Sequence, residues 1–454
     1  MVTTNTQAIP SSFSSPAAGR FWLVVVLTGV STGLGAIVLT LLLEAVQKLL
    51  WGGTGRDILA NAQRASAQRH VWVMLAAGVL VGVGQIVLKQ LSSANGIDTT
   101  AAIWFYAGRL PALRTLGSAV LSIFVVGMGA SLGREGAPKQ AGAVFANFFC
   151  DKAGLSDEQR RLLVACAAGA GMSAAYGVPL GGAIFSIEVM RGILALRYVL
   201  PALVMSLIAT GVSWIALPNA PTYVIPAYGI SGGAILLALL MGPIAGLASV
   251  GYVRLIAWAD RNKPHGWMRV VAPTVVLGLL GVISIWFPQI LGNGKDISQI
   301  LFTSGAAPGL VMALLLLKPA ATVMCIRSGT PGGMFTPSLT AGALLGALLG
   351  FGWSWLWPGV PVGQAALLGA GAVLAGTTQG PVSAVILLME LTGRDRGFIL
   401  PLLVAVCGAT LVARSIEPRS IYDARLTDKE VSARQKVREL PQGEHAAVER
   451  MMAE

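Results

Sequence analysis

Residues 129–140 read GASLGREGAPKQ. An apolar run over about 116–132 ends here, glycines follow, and another apolar stretch begins. Glycine tolerates backbone conformations that other residues resist and leaves its N–H groups accessible. A helix that starts at such a break directs its unpaired N–H groups and the positive end of its dipole back into the break. Helix ends of that kind attract anions. Residues 332–337, GGMFTP, repeat the design, with glycines, a short turn and then a predicted helix over 338–350. A third candidate is ANGIDTTAA at 94–102, where Asn95 or Asp98 can cap a helix start.

The rest of the chain says where these breaks lie. Of 454 residues, 55% are hydrophobic and 11% charged, against roughly 25% charged in a soluble domain. Mean hydropathy is +0.72. Residues 417–454 hold 15 of the 52 charged side chains, 7 basic and 8 acidic, which leaves 37 for the first 416 residues. A nearly uncharged body therefore ends in a short polar tail. A spanning helix needs ~20 apolar residues, so the body has room for about ten or more spans. The expectation is an all-α polytopic membrane protein. Its parts are a polar N-terminal tail at 1–20, a first membrane half at 21–217, a second at 230–416 and a C-terminal segment at 417–454.

The net charge of +12 does not point to nucleic acid, because the basic residues sit mostly between apolar runs, where loop charge sets topology. Segment 218–229 carries no charge, whereas 254–269 carries Arg254, Arg261, Lys263 and Arg269 against Asp260. The positive-inside rule puts 254–269 in the cytoplasm and 218–229 outside. Segment 52–70, with Arg56, Arg64 and Arg69 against Asp57, runs against that count. The four cysteines, Cys150, Cys166, Cys325 and Cys407, form no CxxC pair and read as small buried hydrophobes. His70, His265 and His445 fall in polar stretches, and no metal site is visible. The first 20 residues lack the charged start and cleavage site of a signal peptide.

An internal repeat organises the body. GAGMSAAYGVPLGGAIFSIEVM at 169–190 and GAVLAGTTQGPVSAVILLMELT at 371–392 match Gly169, Pro179 and Glu188 to Gly371, Pro381 and Glu390. The offset is constant at 202, and GREGAP and GGMFTP recur upstream in the same order at 199. Duplicated halves with Gly/Pro-broken segments at matching positions mark transporters, and the breaks point to the binding site. The expectation is two inverted halves with broken, tilted helices. Gly78 with Gly82, and Gly342, Gly346 and Gly350, have the GxxxG spacing of close helix packing.

Three helix starts converging at mid-membrane would hold an anion without a full positive charge, and so could also release it. Glu135 lies between glycines in such a break. An intramembrane acid is costly and by default functional. Its carboxylate would mimic the anion, and protonation would free it. The plainer reading is a salt bridge to Arg134 or Lys139.

GREGAP, GGMFTP and the late Tyr422 in SIYDARL resemble the signature segments of the CLC chloride channel and transporter family, and ANGID sits where that family has its first signature. The resemblance covers about residues 20–425. It implies a homodimer in a bacterial-type inner membrane, with a separate pore in each subunit. It implies that Glu135 resembles the gating glutamate and that chloride or a related small anion is carried, with protons as the exchanged ion. The anion-binding set it implies is Asn95, Gly96, Ile97, Gly133, Arg134, Gly136, Gly333, Met334, Phe335 and Tyr422. Many relatives carry C-terminal CBS domains, and the 30-odd residues after the last span are too few for them.

Several positions depart from the family pattern. Asn95 stands where the family has a pore-lining serine, and Asp98 where it has proline. Asp98 reads as a helix N-cap. Ala137 separates Gly136 from Pro138 in the second signature. Val189 stands where exchangers often carry a proton-transfer glutamate, and Glu188 before it reads as a structural acid. The expected function is therefore anion transport by exchange with protons. Passive chloride conduction, or a fluoride or nitrate transporter of the same fold, is the alternative. No cofactor and no nucleic acid are expected. An intramembrane enzyme is the rival from another class, because Gly129-Ala-Ser131-Leu-Gly133 matches the GxSxG hydrolase pattern. No histidine falls in an apolar segment to serve as its base.

Overall fold

The computed structural model describes residues 16–434 except 54–56, 93–96, 194, 394–396, 425, 428 and 433, with side chains from residue 18. Asn95 and Gly96 thus lie outside the described residues. The first half contains α1 (Pro16–Trp51), α2 (Ile58–Arg64), α3 (Ala67–Leu91), α4 (Thr99–Phe105), α5 (Ala112–Gly127), α6 (Gly136–Ala153), α7 (Asp157–Tyr176), α8 (Pro179–Phe185) and α9 (Leu196–Ser213). The second contains α10 (Gly232–Arg261), α11 (Met268–Ile283), α12 (Lys295–Phe302), α13 (Pro308–Ser328), α14 (Phe335–Leu356), α15 (Val362–Thr378), α16 (Pro381–Thr392) and α17 (Ile399–Ile416). Helix α1 starts at Pro16, inside the stretch read as a polar tail. Among the described residues, seven helices are long and apolar enough to cross a membrane, and four shorter ones are apolar. The protein is an all-α, multi-pass membrane protein.

The two halves repeat one packing scheme. Helix α1 packs on α9 as α10 packs on α17, and α6 on α7 as α14 on α15. Across the halves, α3 lies on α11 and α8 on α16. The GxxxG glycines make these contacts close: Gly78 and Gly82 face the α11 backbone at Thr274 and Val270, and Gly342 and Gly346 face α15 at Gly369 and Ala365. A side chain at any of them would push the helices apart.

The repeated glutamates close the cross-half contact reciprocally. Glu188, in a π-helical turn at Ser186–Arg191, accepts from Val382 N at 3.1 Å, Ser383 N at 2.6 Å and Ser383 Oγ at 2.6 Å. Glu390 on α16 accepts from Leu180 N at 3.1 Å and Gly181 N at 2.6 Å. Each acid caps the other half's helix, and a carboxylate at a helix N-terminus is favoured by both its hydrogen bonds and the dipole. Glu188 is a structural acid, as its repeat mate suggested.

Lys318 is buried and donates to the carbonyls of Ile290 at 2.8 Å, Leu291 at 3.3 Å and Gly292 at 2.7 Å. Gly292 N in turn donates to Gly129 O at 2.9 Å, so one lysine ties the 288–294 loop to the first glycine of the decisive stretch. Three cysteines are buried, but Cys407 is exposed on the outer face of α17, which corrects its reading as a core residue. His70 also departs from expectation. It is buried in α3, with Nδ1 2.8 Å from Ser284 Oγ and Nε2 2.9 Å from Ala62 O.

Candidate anion-binding site

The two signature breaks meet. Gly133 and Gly333 exchange backbone hydrogen bonds, each N–H to the other's carbonyl at 2.7 Å, in an isolated antiparallel bridge. Helices α6 and α14 start immediately beyond it, from Gly136 and Phe335. Neither has a side-chain cap from its own N-cap residue, whereas α3, α7 and α10 begin on capping serines. Both helix ends therefore turn positive potential toward a shared point.

Glu135 occupies that point. It is 1% exposed, and its Oε1 accepts from Phe335 N at 2.7 Å. The hydroxyls of Tyr176 and Thr336 each lie 3.2 Å from Oε2 and 2.9 Å from each other. Two hydroxyl protons are available for these three oxygen–oxygen contacts, and Oε1 takes its own donor from the backbone. A Cβ at Gly133 or Gly333 would collide with the carboxylate, and one at Gly136 would crowd Gly333 N. Only glycine permits this approach at 133 and 333. The carboxylate sits where an anion sits at a helix N-terminus.

Arg134 turns away from Glu135, donating to Ala175 O at 3.3 Å and lying 4.9 Å from the Tyr176 ring centre. It lines a cleft of about 250 Å³ with Thr222, Lys295 and Asp296. Pro218, Ala220 and Pro221 from the uncharged 218–229 segment, which the charge rule expects outside, border the same cleft. Ile58, at the start of α2, is there too, so the basic 52–70 stretch meets the same cleft. In this cleft, outside the apolar spans, burial pushes the Asp296 carboxyl up to about 6 despite the hydrogen bond from Leu59 N. Burial, then Arg134, pushes the Lys295 ammonium down. A second cleft of about 460 Å³ is lined by Ile97, Asp98, Gln140, Asp260 and Lys263, the last two from the basic 254–269 segment. Asp98 caps α4, accepting from Thr100 N at 2.9 Å, as its sequence position suggested.

Tyr422 is 8% exposed, and its hydroxyl is buried without a hydrogen-bond partner. Its ring meets Phe185 edge to face with centres 5.5 Å apart. Met334, the N-cap residue of α14, is buried and accepts from Ser338 Oγ at 2.7 Å through its carbonyl. The structure thus gathers Glu135, Gly133, Gly136, Gly333, Met334 and Phe335 at one point, puts Arg134 at the first cleft and Ile97 at the second. Sequence reasoning missed Tyr176 and Thr336. Thr336 lies inside the quoted GGMFTP, and a hydroxyl one residue past a helix start was the available signal. Tyr176 carried none beyond its place in the repeat. Val189 is buried and its carbonyl accepts from Arg434 Nη2 at 2.8 Å. Ser131 of the GxSxG pattern is buried, with Thr322 Oγ1 3.4 Å from its hydroxyl. Among the described residues no group of three His, Cys, Asp or Glu side chains could hold a metal.

Two inverted halves whose broken helices meet at a buried acid define a membrane transport protein. The sequence profile of the family described as "Voltage gated chloride channel" matches residues 92–414, and the chain belongs to that family. It is 31% identical over 404 residues to the "Putative chloride channel protein ClcB-like" of Ralstonia nicotianae, covering 86% of this chain and 93% of that one. It is 28% identical over 442 residues to the "H(+)/Cl(-) exchange transporter ClcA" of Cronobacter sakazakii, covering 91% of each. Among solved structures it resembles a slow cyanobacterial Cl-/H+ antiporter, with a TM-score of 0.78 at 21% identity over 91% of this chain and 98% of that one. It also resembles a CLC-type fluoride/proton antiporter, with a TM-score of 0.67 at 20% identity over 87% and 97%.

Proposed function

We propose that this protein carries chloride, or a related small monovalent anion, across the membrane in exchange for protons, with Glu135 as the movable group in the anion path. The observation that carries the reading is the Glu135 carboxylate on the Phe335 N–H at 2.7 Å. A carboxylate that occupies a helix N-terminus competes with any other anion for the same donors. Protonation removes its charge, weakens that hold and vacates the place. The incoming anion then takes N–H donors from α6 and α14, with the Tyr422 hydroxyl as a further donor. Asn95, Gly96 and Ile97 belong to the anion-binding set in this reading, and Asn95 bears on the choice among chloride, nitrate and fluoride. No cofactor and no enzymatic step enter the scheme; the anion is the substrate.

Val189 favours a second reading, passive conduction, because a buried valine cannot carry a proton between the inner side and Glu135. Two copies form the working unit in the inner membrane, and the apolar side chains exposed on α8, α9, α16 and α17, such as Leu180, Leu207, Val382 and Leu411, supply a surface that a second copy or lipid covers. Purified protein in liposomes, with chloride, nitrate or fluoride efflux and pH recorded together, tests the proposal. Exchange predicts proton uptake against anion efflux in fixed proportion. Anion efflux with a steady internal pH would favour conduction, and no anion flux at all would refute both.

A further inference from the structure

Lys139 lies one helical turn along α6 from Glu135, its N–H donating to the Glu135 carbonyl at 3.3 Å. Its side chain is buried, 7% exposed. The ammonium stands 4.0 Å from the Tyr422 ring centre and 4.8 Å from that of Phe185. Those rings come from separate segments, the chain after α17 and the end of α8, and they pack edge to face. Three segments of the fold therefore converge to set one positive charge, by contacts that favour a cation over an aromatic face. A cation so deep in a membrane protein is rare and marks a functional place. The ring whose face holds it is the one whose hydroxyl is buried without a hydrogen-bond partner.

We propose that Lys139 is an anion-holding residue, whose ammonium supplies the full positive charge for a small monovalent anion bound at the Tyr422 hydroxyl. The inference rests on the anion site described above. The helix ends alone give partial charges, and in a low-dielectric interior a full charge acts on an anion without touching it. A lysine ammonium is a compact point charge that lacks the planar fork of arginine. It attracts every small anion alike, and the backbone N–H groups and hydroxyl are left to discriminate among them.

Isothermal titration of the full-length protein in detergent with chloride and with nitrate, at one pH, tests this, with thermal unfolding of each variant as the folding control. Lys139→Met is expected to lower both affinities by a common factor of about ten, and Lys139→Arg to stay close to wild type. If wild type binds neither anion, the anion-site reading falls and this inference with it. If wild type binds and Lys139→Met binds equally well, Lys139 alone is overturned, whatever its effect on stability. Should Lys139→Met not fold, Lys139→Gln against Lys139→Arg makes the same comparison: weaker binding in Gln only supports the charge, and equal binding in both overturns it.

Discussion

Glu135 accepts a 2.7 Å hydrogen bond from the backbone N–H of Phe335, 200 residues further along the chain. The bond joins the two halves at their pseudo-symmetric breaks, and the Gly133–Gly333 bridge beside it holds the distance. A single acid on a single helix end therefore reports on the meeting of both halves.

Glu135→Gln keeps an acceptor for Phe335 N–H but cannot gain or lose a proton near neutral pH. Anion flux from liposomes is expected to persist, with proton movement and pH dependence gone. A pH electrode showing wild-type behaviour in the variant would remove Glu135 from the path.

Tyr422→Phe deletes the hydroxyl and leaves the ring packed on Phe185. One neutral hydrogen bond is worth about 1 kcal/mol net, so calorimetry should read a several-fold weaker anion affinity. Equal affinity in Tyr422→Phe and wild type would mean that the hydroxyl does not touch the anion.

Glu188→Ala strips the cap from α16, leaving Val382 N and Ser383 N without their carboxylate. The expected loss is about 1–3 kcal/mol, read as a lower unfolding temperature, with the ratio of protons to anions per turnover unchanged. An altered ratio at wild-type stability would make Glu188 a proton carrier instead of a cap.

Glu417 follows α17 and joins Arg419 Nε at 2.7 Å and Arg254 Nε at 2.9 Å. Burial pushes its carboxyl up, but the two guanidiniums together outweigh it and hold the group down to about 2. A depressed carboxyl contributes stability above its ordinary value of 4.5, and that contribution is lost as pH falls toward 2. Wild type should thus lose more unfolding temperature than Glu417→Gln between pH 6 and pH 3. Parallel losses would show that the cluster adds nothing linked to this proton.

Composition and period alone determine that this chain crosses a membrane many times, since uncharged apolar runs of spanning length have no stable place in water. The repeat of Gly, Pro and Glu at constant offset determines that the body has two related halves, and the glycines beside Glu135 mark the break. The same local chemistry made Asp98 a cap and Glu188 a structural acid. It misread Cys407, because an apolar run does not say which face of its helix meets other helices and which meets lipid. It misread His70, whose partner Ser284 lies 214 positions away. Only the tertiary structure decided that Glu135 rests on Phe335 and not on its neighbour Arg134, that Glu188 and Glu390 cap each other's halves, that Tyr176 and Thr336 meet the Glu135 carboxylate, and that Lys139 lies over the Tyr422 ring. Each of those relations joins segments remote in sequence, and no local pattern encodes a contact whose two sides are brought together by the inversion of one half against the other.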